Sequence, residues 1–274
     1  MHERVLERLE LRAELRRAID LRQFELHFQP VVRLQDGSVA GMEALVRWHH
    51  PTRGFVQPAQ FIPLAEEMGL IVDLGRWVLR ESCHHAARLR ATGEADANFT
   101  IAVNLSVKQL QHPEIIGDVR SALEDSGIQP GMLVLEITET VLMANPARAL
   151  EVLRHLHAMG IGLSIDDFGT GYSSLEYLKR LPVDVLKIDR SFVLNMASDV
   201  SDAMIVRSTI DLARNLGLRV VAEGIEDQAA YDMLRDLGCH VGQGYLMSRP
   251  VSCEDLEDLL DAAALARPAW SASA

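Results

Sequence analysis

The chain has 274 residues, 48% of them hydrophobic, which is enough for one large domain or two small ones with a substantial core. Its formal charge of −12 argues against sequence-independent electrostatic binding of nucleic acid, because such binding requires a basic surface. A small anionic ligand stays compatible with this charge if metal ions reverse the local potential. Membrane spans and signal peptides are not indicated, because no apolar run is long enough and the N-terminus is charged.

The number and spacing of the cysteines are not typical of a metal site or a set of disulfides. Cys83, Cys239 and Cys253 are odd in number, far apart in the chain and without C-x-x-C spacing. Such thiols are typical of proteins in a reducing compartment. We therefore expect a cytoplasmic protein with free cysteines.

The first elements are a helix and a hairpin. Apolar residues at helical spacing among many charges predict a helix over residues 3–20. Strand patterns follow at Phe24–Val32 and Val39–Val46, and Asp36-Gly37 lies between them. Because this dipeptide favours tight turns, we expect the two strands to be antiparallel.

Helices and strands then alternate to the end of the chain. Helical patterns cover about 58–68, 74–90, 113–126, 146–156, 173–180, 201–216 and 228–237. Strand patterns cover Thr100–Asn104, Met132–Ile137, Ile161–Ile165, Val185–Ile188, Arg219–Ala222 and the region around His240–Gly242. Eight strands with this alternation predict a (β/α)8 TIM-type barrel, made atypical by an antiparallel first strand in the N-terminal hairpin.

Polar side chains recur where these strands end. In a parallel barrel the carboxyl ends of the strands meet at one mouth, where active sites are built. For any one of these residues alone a helix cap or a surface side chain is the better explanation, but capping does not confine the whole set to one edge. The set comprises Glu43, Asn104, Glu136, Asp166, Asp167, Lys187, Asp189, Glu223 and Gln243.

The adjacent pair Asp166-Asp167 ends the fifth strand and precedes a loop with Gly169 and Gly171. Consecutive side chains leave a strand on opposite sides, so at least one aspartate must face something polar. Repulsion between the two carboxylates is commonly relieved by a hard cation with oxygen ligands. A helix start with a solvated turn is the alternative reading of the pair taken alone.

The donor types indicate which cation the mouth would bind. Carboxylates and one amide, without histidine or cysteine, favour Mg²⁺ or Mn²⁺ over zinc. The histidines do not cluster, because His84-His85 falls in a helical pattern and His49-His50 in a predicted turn. The number of acids suits two ions that share an aspartate and lie about 3.5–4 Å apart. Lys187 adds a positive charge that suits a pentavalent phosphoryl transition state.

Short motifs in this order and spacing resemble the EAL domains, bacterial phosphodiesterases of cyclic di-GMP. They run from about residue 20 to 250, and eight in register are far more specific than any one of them. They are Phe28-Gln29-Pro30, Glu43-Ala44-Leu45-Val46-Arg47-Trp48, Asn104-Leu105-Ser106, Glu136-Ile137-Thr138-Glu139, Asp166-Asp167-Phe168-Gly169-Thr170-Gly171, Lys187-Ile188-Asp189, Glu223-Gly224-Ile225-Glu226 and Gln243-Gly244-Tyr245.

The resemblance implies specific roles for these residues. One ion would be held by Glu43, Asn104, Glu136 and Asp166, and a second by Asp166, Asp167 and Glu223. Glu223 would also act as a general base, and Lys187 would orient the water or stabilise developing charge. Asp189 and Glu226 would support these catalytic residues, and Gln243 would lie at their edge and bind the substrate. Gln29 and Arg47 would contact the nucleotide. Glu139 would hold the loop that contains Phe168, Gly169, Thr170 and Gly171.

The implied reaction is hydrolysis of one phosphodiester of cyclic di-GMP to linear pGpG by in-line attack of an activated water. The resemblance also implies a homodimer bordered by the loop after Asp167, and a sensory or cyclase domain upstream. On this reading residues 1–20 are a helical linker, residues 21–265 the phosphodiesterase barrel and residues 266–274 a disordered tail. Two alternatives stay open: a receptor that binds cyclic di-GMP without cleaving it, and an unrelated barrel hydrolase for another phosphodiester.

Overall fold

A computed structural model of the chain describes residues 2–93, 98–171, 175–256 and 259–260, with side chains described from residue 10 onward. The strands are β1 (Phe24–Arg33), β2 (Val39–His50), β3 (Gly54–Val56), β4 (Thr100–Asn104), β5 (Leu133–Thr138), β6 (Gly162–Phe168), β7 (Val185–Ile188), β8 (Arg219–Ala222) and β9 (Val241–Gly242). The helices are α1 (His2–Asp20), α2 (Pro58–Met68), α3 (Ile71–Thr92), α4 (Val107–Gln111), α5 (Ile115–Ser126), α6 (Glu139–Ala144), α7 (Pro146–Ala158), α8 (Leu175–Leu178), α9 (Arg190–Val193), α10 (Val200–Leu216) and α11 (Gln228–Asp236).

Eight of these strands close into a barrel, and β3 lies outside it. The order around the barrel is β1, β9, β8, β7, β6, β5, β4, β2, and β2 pairs back onto β1. β1 is antiparallel to both neighbours, whereas the pairs from β2–β4 round to β8–β9 are parallel. The predicted (β/α)8 barrel with a reversed first strand is confirmed.

Local sequence signals fix the hairpin and the helix ends. Gly37 has φ 71° and the Asp36 carboxylate accepts the backbone N–H of Ser38 at 2.9 Å, which closes the turn between β1 and β2. The side chain of Asn145 caps α7 by accepting a backbone N–H of its first turn, and Gly160 with φ 86° follows the end of this helix. Both sets of residues act where the sequence predicted.

A second hydrophobic cluster lies beside the barrel core. The hairpin strands β1 and β2 extend past the barrel and bury Phe24 and Trp48 against Phe61 of α2. α1 joins this cluster through Leu15 and Ala18, both fully buried. The predicted N-terminal helix is therefore present and packed onto the domain, while its role as a linker stays a prediction.

The segment after Val46 differs from its prediction. The sequence pattern placed His49-His50 in a turn, but both residues belong to β2, which pairs with β3 up to His50. The His50 ring packs 5.3 Å from that of Trp48, and the His49 ring lies 4.8 Å from that of Phe55. Aromatic packing therefore extends the strand where polar composition alone favours a turn.

Other differences are local. The helix predicted over 113–126 is α5, which begins two residues later at Ile115, and the short helix α4 before it was not predicted. The three cysteines form no disulfide with one another, and burial raises the pKa of Cys83 and Cys239 to about 12. Among the described helices none is long and apolar enough to cross a membrane. The predicted tail 266–274 lies outside the described residues.

Candidate active site

The carboxyl ends of the strands bring most of the predicted site residues together at one mouth. Register pairing places Asn104 beside Glu136 and places Gln29 opposite Glu43. Side chains of residues that pair across neighbouring strands lie on the same face of the sheet, and here that face is the inside of the barrel. Seven side chains contact one another there, and we call all seven the acidic cluster. They are Glu43, Asn104, Glu136, Asp166, Lys187, Glu223 and Gln243.

Lys187 lies at the centre of the cluster and is only 1% exposed. Its Nζ is 2.7 Å from Glu136 Oε2 and 2.7 Å from Glu223 Oε1. The same atom is 3.3 Å from Asp166 Oδ1 and 3.5 Å from Glu43 Oε2. One ammonium group therefore links carboxylates that come from four different strands or strand ends.

Two amides orient the carboxylates. Gln243 Nε2 donates to Glu43 Oε2 at 2.7 Å and to Glu223 Oε1 at 3.0 Å. Asn104 Nδ2 donates to Glu43 Oε1 at 2.7 Å, which leaves its carbonyl oxygen as a ligand atom. Because both Glu43 oxygens accept hydrogen bonds, its carboxylate is fixed in one orientation.

Burial and neighbouring charges shift the protonation of this cluster in different directions. Burial alone would raise the pKa of Glu43, but the Lys187 ammonium and the hydrogen bonds from both amides outweigh it, so the pKa is lowered. Burial and adjacent carboxylates raise the pKa of Glu136 despite Lys187. The same causes raise the pKa of Glu223 to about 8. Burial opposes the charge of Lys187, yet the surrounding carboxylates hold its pKa well above the usual value.

Asp167 reaches the cluster through an unusual backbone conformation. Its φ is 54°, the left-handed region that residues other than glycine rarely adopt, and the pairing of β6 with β7 is irregular between Ile165 and Phe168. This break in alternation places carboxylate oxygens of Asp166, Asp167 and Glu223 within 4.8 Å of one another. Burial, with the charges of Asp166 and then Asp189, raises the pKa of Asp167 to about 6.

This carboxylate group fits a hard divalent cation. Three acidic side chains converge, two of them have raised pKa values, and no described histidine or cysteine belongs to the group. Oxygen ligands of this kind suit small hard cations and not structural zinc. The donors of a possible acidic metal site are therefore present.

The loop after Asp167 packs against Glu139. Glu139 is 4% exposed, and neither carboxylate oxygen has a hydrogen-bond partner among the described residues. Gly171 lies so close that a Cβ there would collide with Glu139 Oε2. The Thr170 hydroxyl donates to the Asp167 carbonyl at 2.9 Å, and Gly169 has φ 100° against the Phe192 ring. Residues 172–174 of the predicted loop lie outside the described residues.

The two residues predicted to contact the nucleotide lie on strands β1 and β2, which form the hairpin wall of the barrel beside the acidic cluster. Gln29 is buried, and its Nε2 donates to the Ser248 carbonyl at 3.1 Å. Arg47 Nη1 donates to the Val46 carbonyl at 3.1 Å. Burial lowers the pKa of Arg47, although Glu43 and two other acidic groups oppose this shift.

Two predicted supporting residues do not join the cluster directly. Asp189 caps α9 by accepting the backbone N–H of Ser191 at 3.0 Å, and it influences the cluster through its charge near Asp167. Glu226 is exposed and forms no hydrogen bond or ion pair within the described part of the chain. A supporting role for Glu226 therefore rests on the resemblance alone.

Sequence reasoning assigned no role to one exposed pair near the mouth. The Arg249 guanidinium lies 4.2 Å from the centre of the Tyr245 ring, and Tyr245 is 46% exposed. Tyr245 also acts electrostatically on Arg47. Its position two residues after Gln243 was the signal available in the sequence.

Comparisons with known proteins agree with this geometry. The EAL domain family model matches residues 12–250. MucR of Pseudomonas aeruginosa, a bifunctional diguanylate cyclase/cyclic di-GMP phosphodiesterase, is 48% identical over 256 residues, which are 93% of this chain and 37% of MucR. NbdA of the same organism, a cyclic di-GMP phosphodiesterase, is 44% identical over 259 residues, 94% of this chain and 33% of NbdA. The chain belongs to the EAL domain family.

A solved structure of the PaMucR phosphodiesterase in complex with c-di-GMP has the same fold. It superposes with a TM-score of 0.87 at 47% sequence identity, and the alignment covers 90% of this chain and 99% of the solved one. The chain spans only about a third of the length of the curated relatives MucR and NbdA.

Proposed function

We propose that this chain hydrolyses one phosphodiester bond of cyclic di-GMP to give linear pGpG. The observation that carries the proposal is the convergence of five acidic side chains around one mouth of an EAL barrel, with Lys187 buried at their centre. MucR and NbdA, both named as cyclic di-GMP phosphodiesterases, support the choice of substrate. An acidic protein surface fits an anionic substrate when bound cations reverse the local charge.

The proposed cofactor is a pair of Mg²⁺ or Mn²⁺ ions. Asp166 would belong to both sites, and Asp167 and Glu223 complete the second one. The first site would take its remaining ligands from Glu43, Asn104 and Glu136. When bound, such ions supply an activated water and neutralise charge on the phosphoryl group.

The side chains of the chain prepare this site for an in-line attack. Gln243 and Lys187 both contact Glu223 Oε1, so they orient the carboxylate that is to accept the proton of the attacking water. The Lys187 ammonium offsets the negative charge that develops on the phosphoryl oxygens. On the hairpin wall, the Arg47 guanidinium and the Gln29 amide are placed to hold the nucleotide.

Chromatography of reaction products tests the proposal. Purified protein with cyclic di-GMP and Mn²⁺ is expected to form pGpG, and EDTA is expected to stop the reaction. Tight binding of cyclic di-GMP without cleavage under Mn²⁺ would instead identify a receptor. Cleavage of a generic diester that cyclic di-GMP does not inhibit would identify a hydrolase with another substrate.

Cation binding is expected to strengthen as the pH rises from 6 to 8. Without a cation the pKa is about 6 for Asp167 and about 8 for Glu223, so in this range Glu223 still holds a proton that the incoming cation must displace. Each proton released from Glu223, or from Glu136, whose pKa is also raised, corresponds to about a tenfold gain in Mn²⁺ affinity per pH unit, and this gain levels off above the pKa of the group. Calorimetric titration with Mn²⁺ in buffers of different ionisation enthalpy measures the affinity for Mn²⁺ and the number of protons released on binding. An affinity that does not change between pH 6 and 8 contradicts the assignment.

The remaining proposals concern partners and context. A homodimer is supported by the resemblance and by exposed apolar side chains: Leu175 just after the loop, and Val200 and Met204 one turn apart on α10. Light scattering of the purified chain tests it. The limits of the barrel at residues 21–265, an upstream sensory or cyclase domain and a cytoplasmic location stay predictions from the sequence.

A further inference from the structure

The barrel is hollow beneath the acidic cluster. Side chains two residues before the cluster residues point into the same lumen, and on β4 and β6 these positions hold only Ala102 and Ser164. TIM barrels usually fill such positions with bulky branched residues. Here a cavity of about 790 Å³ remains, a size typical of pockets for small ligands.

The outer end of the cavity lies at the amino ends of the parallel strands, on the side of the barrel opposite the acidic cluster. Its lining includes Thr100, Val185 and Arg219, which lie at or near the starts of parallel strands, and the loop residues Gln35 and His240. At the inner end it is lined by Glu136 and Gln243 of the cluster. An occupant would therefore enter from the floor of the barrel and not through the catalytic mouth.

Two buried polar atoms at the inner end lack partners. Ser164 is 1% exposed and Gln243 is 5% exposed. Ser164 Oγ and Gln243 Oε1 have no hydrogen-bond partner among the described residues, and both residues line the cavity. Burying polar atoms without a partner is unfavourable, so this end suits an occupant that donates a hydrogen bond.

The walls and the outer end have a different chemistry. Apolar side chains line the middle of the cavity: Val31, Val134, Val221 and Val241. At the outer end Arg219 is exposed and its side chain forms no ion pair within the described residues. Arg33 lies near Asp36, and Arg235 pairs with Asp232 at 3.1 Å and with Asp236 at 3.7 Å, so the positive charge offered to a ligand is that of Arg219. This end favours an anion.

We propose that the floor cavity binds a small amphipathic anion. Its carboxylate would pair with Arg219, its apolar body would pack against the valines, and a terminal hydroxyl would donate to Ser164 Oγ or Gln243 Oε1. A phenolic carboxylate such as hydroxyphenylpropionate has all three parts. The site is separate from the proposed reaction, although Gln243 lines both and orients Glu43 and Glu223 through its other amide atom.

Isothermal titration of the whole chain with hydroxyphenylpropionate tests the site, in EDTA so that no cation at the acidic cluster holds the carboxylate. We expect saturable binding of one molecule per chain. Phenylpropionate, which lacks the hydroxyl, and ethylphenol, which lacks the carboxylate, are each expected to bind at least about tenfold more weakly. Absence of saturable binding overturns the proposal and leaves the proposed reaction untouched, because the titration contains neither substrate nor metal.

Variants separate this site from non-specific binding. Arg219→Glu is expected to weaken hydroxyphenylpropionate by at least about tenfold, whereas Arg207→Glu, the same change at an exposed position of α10 away from the cavity, leaves it unchanged. Ser164→Ala is expected to reduce the preference for hydroxyphenylpropionate over phenylpropionate without lowering the melting temperature. Equal affinities in Arg219→Glu and Arg207→Glu contradict the assignment, and since Arg219 is exposed this comparison does not depend on a change in the core.

Discussion

The Glu223→Gln variant is expected to turn over cyclic di-GMP about 10²–10⁴-fold more slowly than the unchanged chain. Glutamine keeps the shape of Glu223 and can still accept the hydrogen bond of Gln243, which lies at 3.0 Å. It removes the negative charge that the proposed second cation site needs, and it cannot accept the proton of the attacking water. The loss therefore falls on kcat, while the affinity for cyclic di-GMP changes little. Chromatographic measurement of pGpG under Mn²⁺ gives the rate.

The matched control is Glu124→Gln, the same substitution at an exposed position of α5 on the outside of the barrel. Its turnover and melting temperature are expected to equal those of the unchanged chain. If Glu223→Gln retains full kcat, Glu223 has no part in the chemistry. If it loses its fold, calorimetric binding of cyclic di-GMP distinguishes that result from a catalytic defect.

The Lys187→Met variant is expected to lose about 3–5 kcal/mol of its free energy of unfolding at pH 8 without divalent cations. Its ammonium contacts four carboxylates at 2.7 to 3.5 Å. With methionine of similar length in its place, each buried carboxylate must either stay charged beside the others or take up a proton, and both cost free energy at pH 8. Protonation relieves this repulsion, so the loss is expected to be smaller at pH 6. In the unchanged chain the raised pKa of Lys187 keeps its contribution complete below its ordinary value of 10.5, and the contribution is lost only at higher pH.

Urea denaturation in EDTA at pH 6 and pH 8 measures this effect. Lys108→Met, at an exposed position of α4, is the control and is expected to change stability by less than about 0.5 kcal/mol. Added Mn²⁺ is expected to restore part of the stability of Lys187→Met, because a cation replaces the missing positive charge. A variant as stable at pH 8 as the control would contradict this role of Lys187.

Much of the barrel was predictable because its local signals agree with one another. Asp36-Gly37 between two apolar strands fixed the hairpin, and Asn145 with Gly160 fixed the ends of α7. Alternating helices and strands then left few topologies. The short helix α4 and the extension of β2 to His50 were missed, because a helix of five residues shows little periodicity and cross-strand aromatic packing leaves little trace in a single sequence.

The acidic cluster was predictable in membership but not in arrangement. Strand ends identified which side chains share the mouth, since that follows from a parallel barrel. Strand alternation predicted that Asp166 and Asp167 point to opposite sides, but the left-handed backbone of Asp167 turns its carboxylate toward its neighbour. The position of Lys187 among four carboxylates depends on the closure of the barrel, which no local pattern encodes.

Lys187 also separates the stability of the fold from the proposed binding of metal. In many small metal-binding domains the ligand residues repel one another until the metal arrives, so the chain folds only when the metal is bound. Here the barrel carries its own internal counter-ion, already paired with Glu136 and Glu223 at 2.7 Å. If the proposed cations bind here, the domain is folded before they arrive, and their supply would change its activity and not its stability.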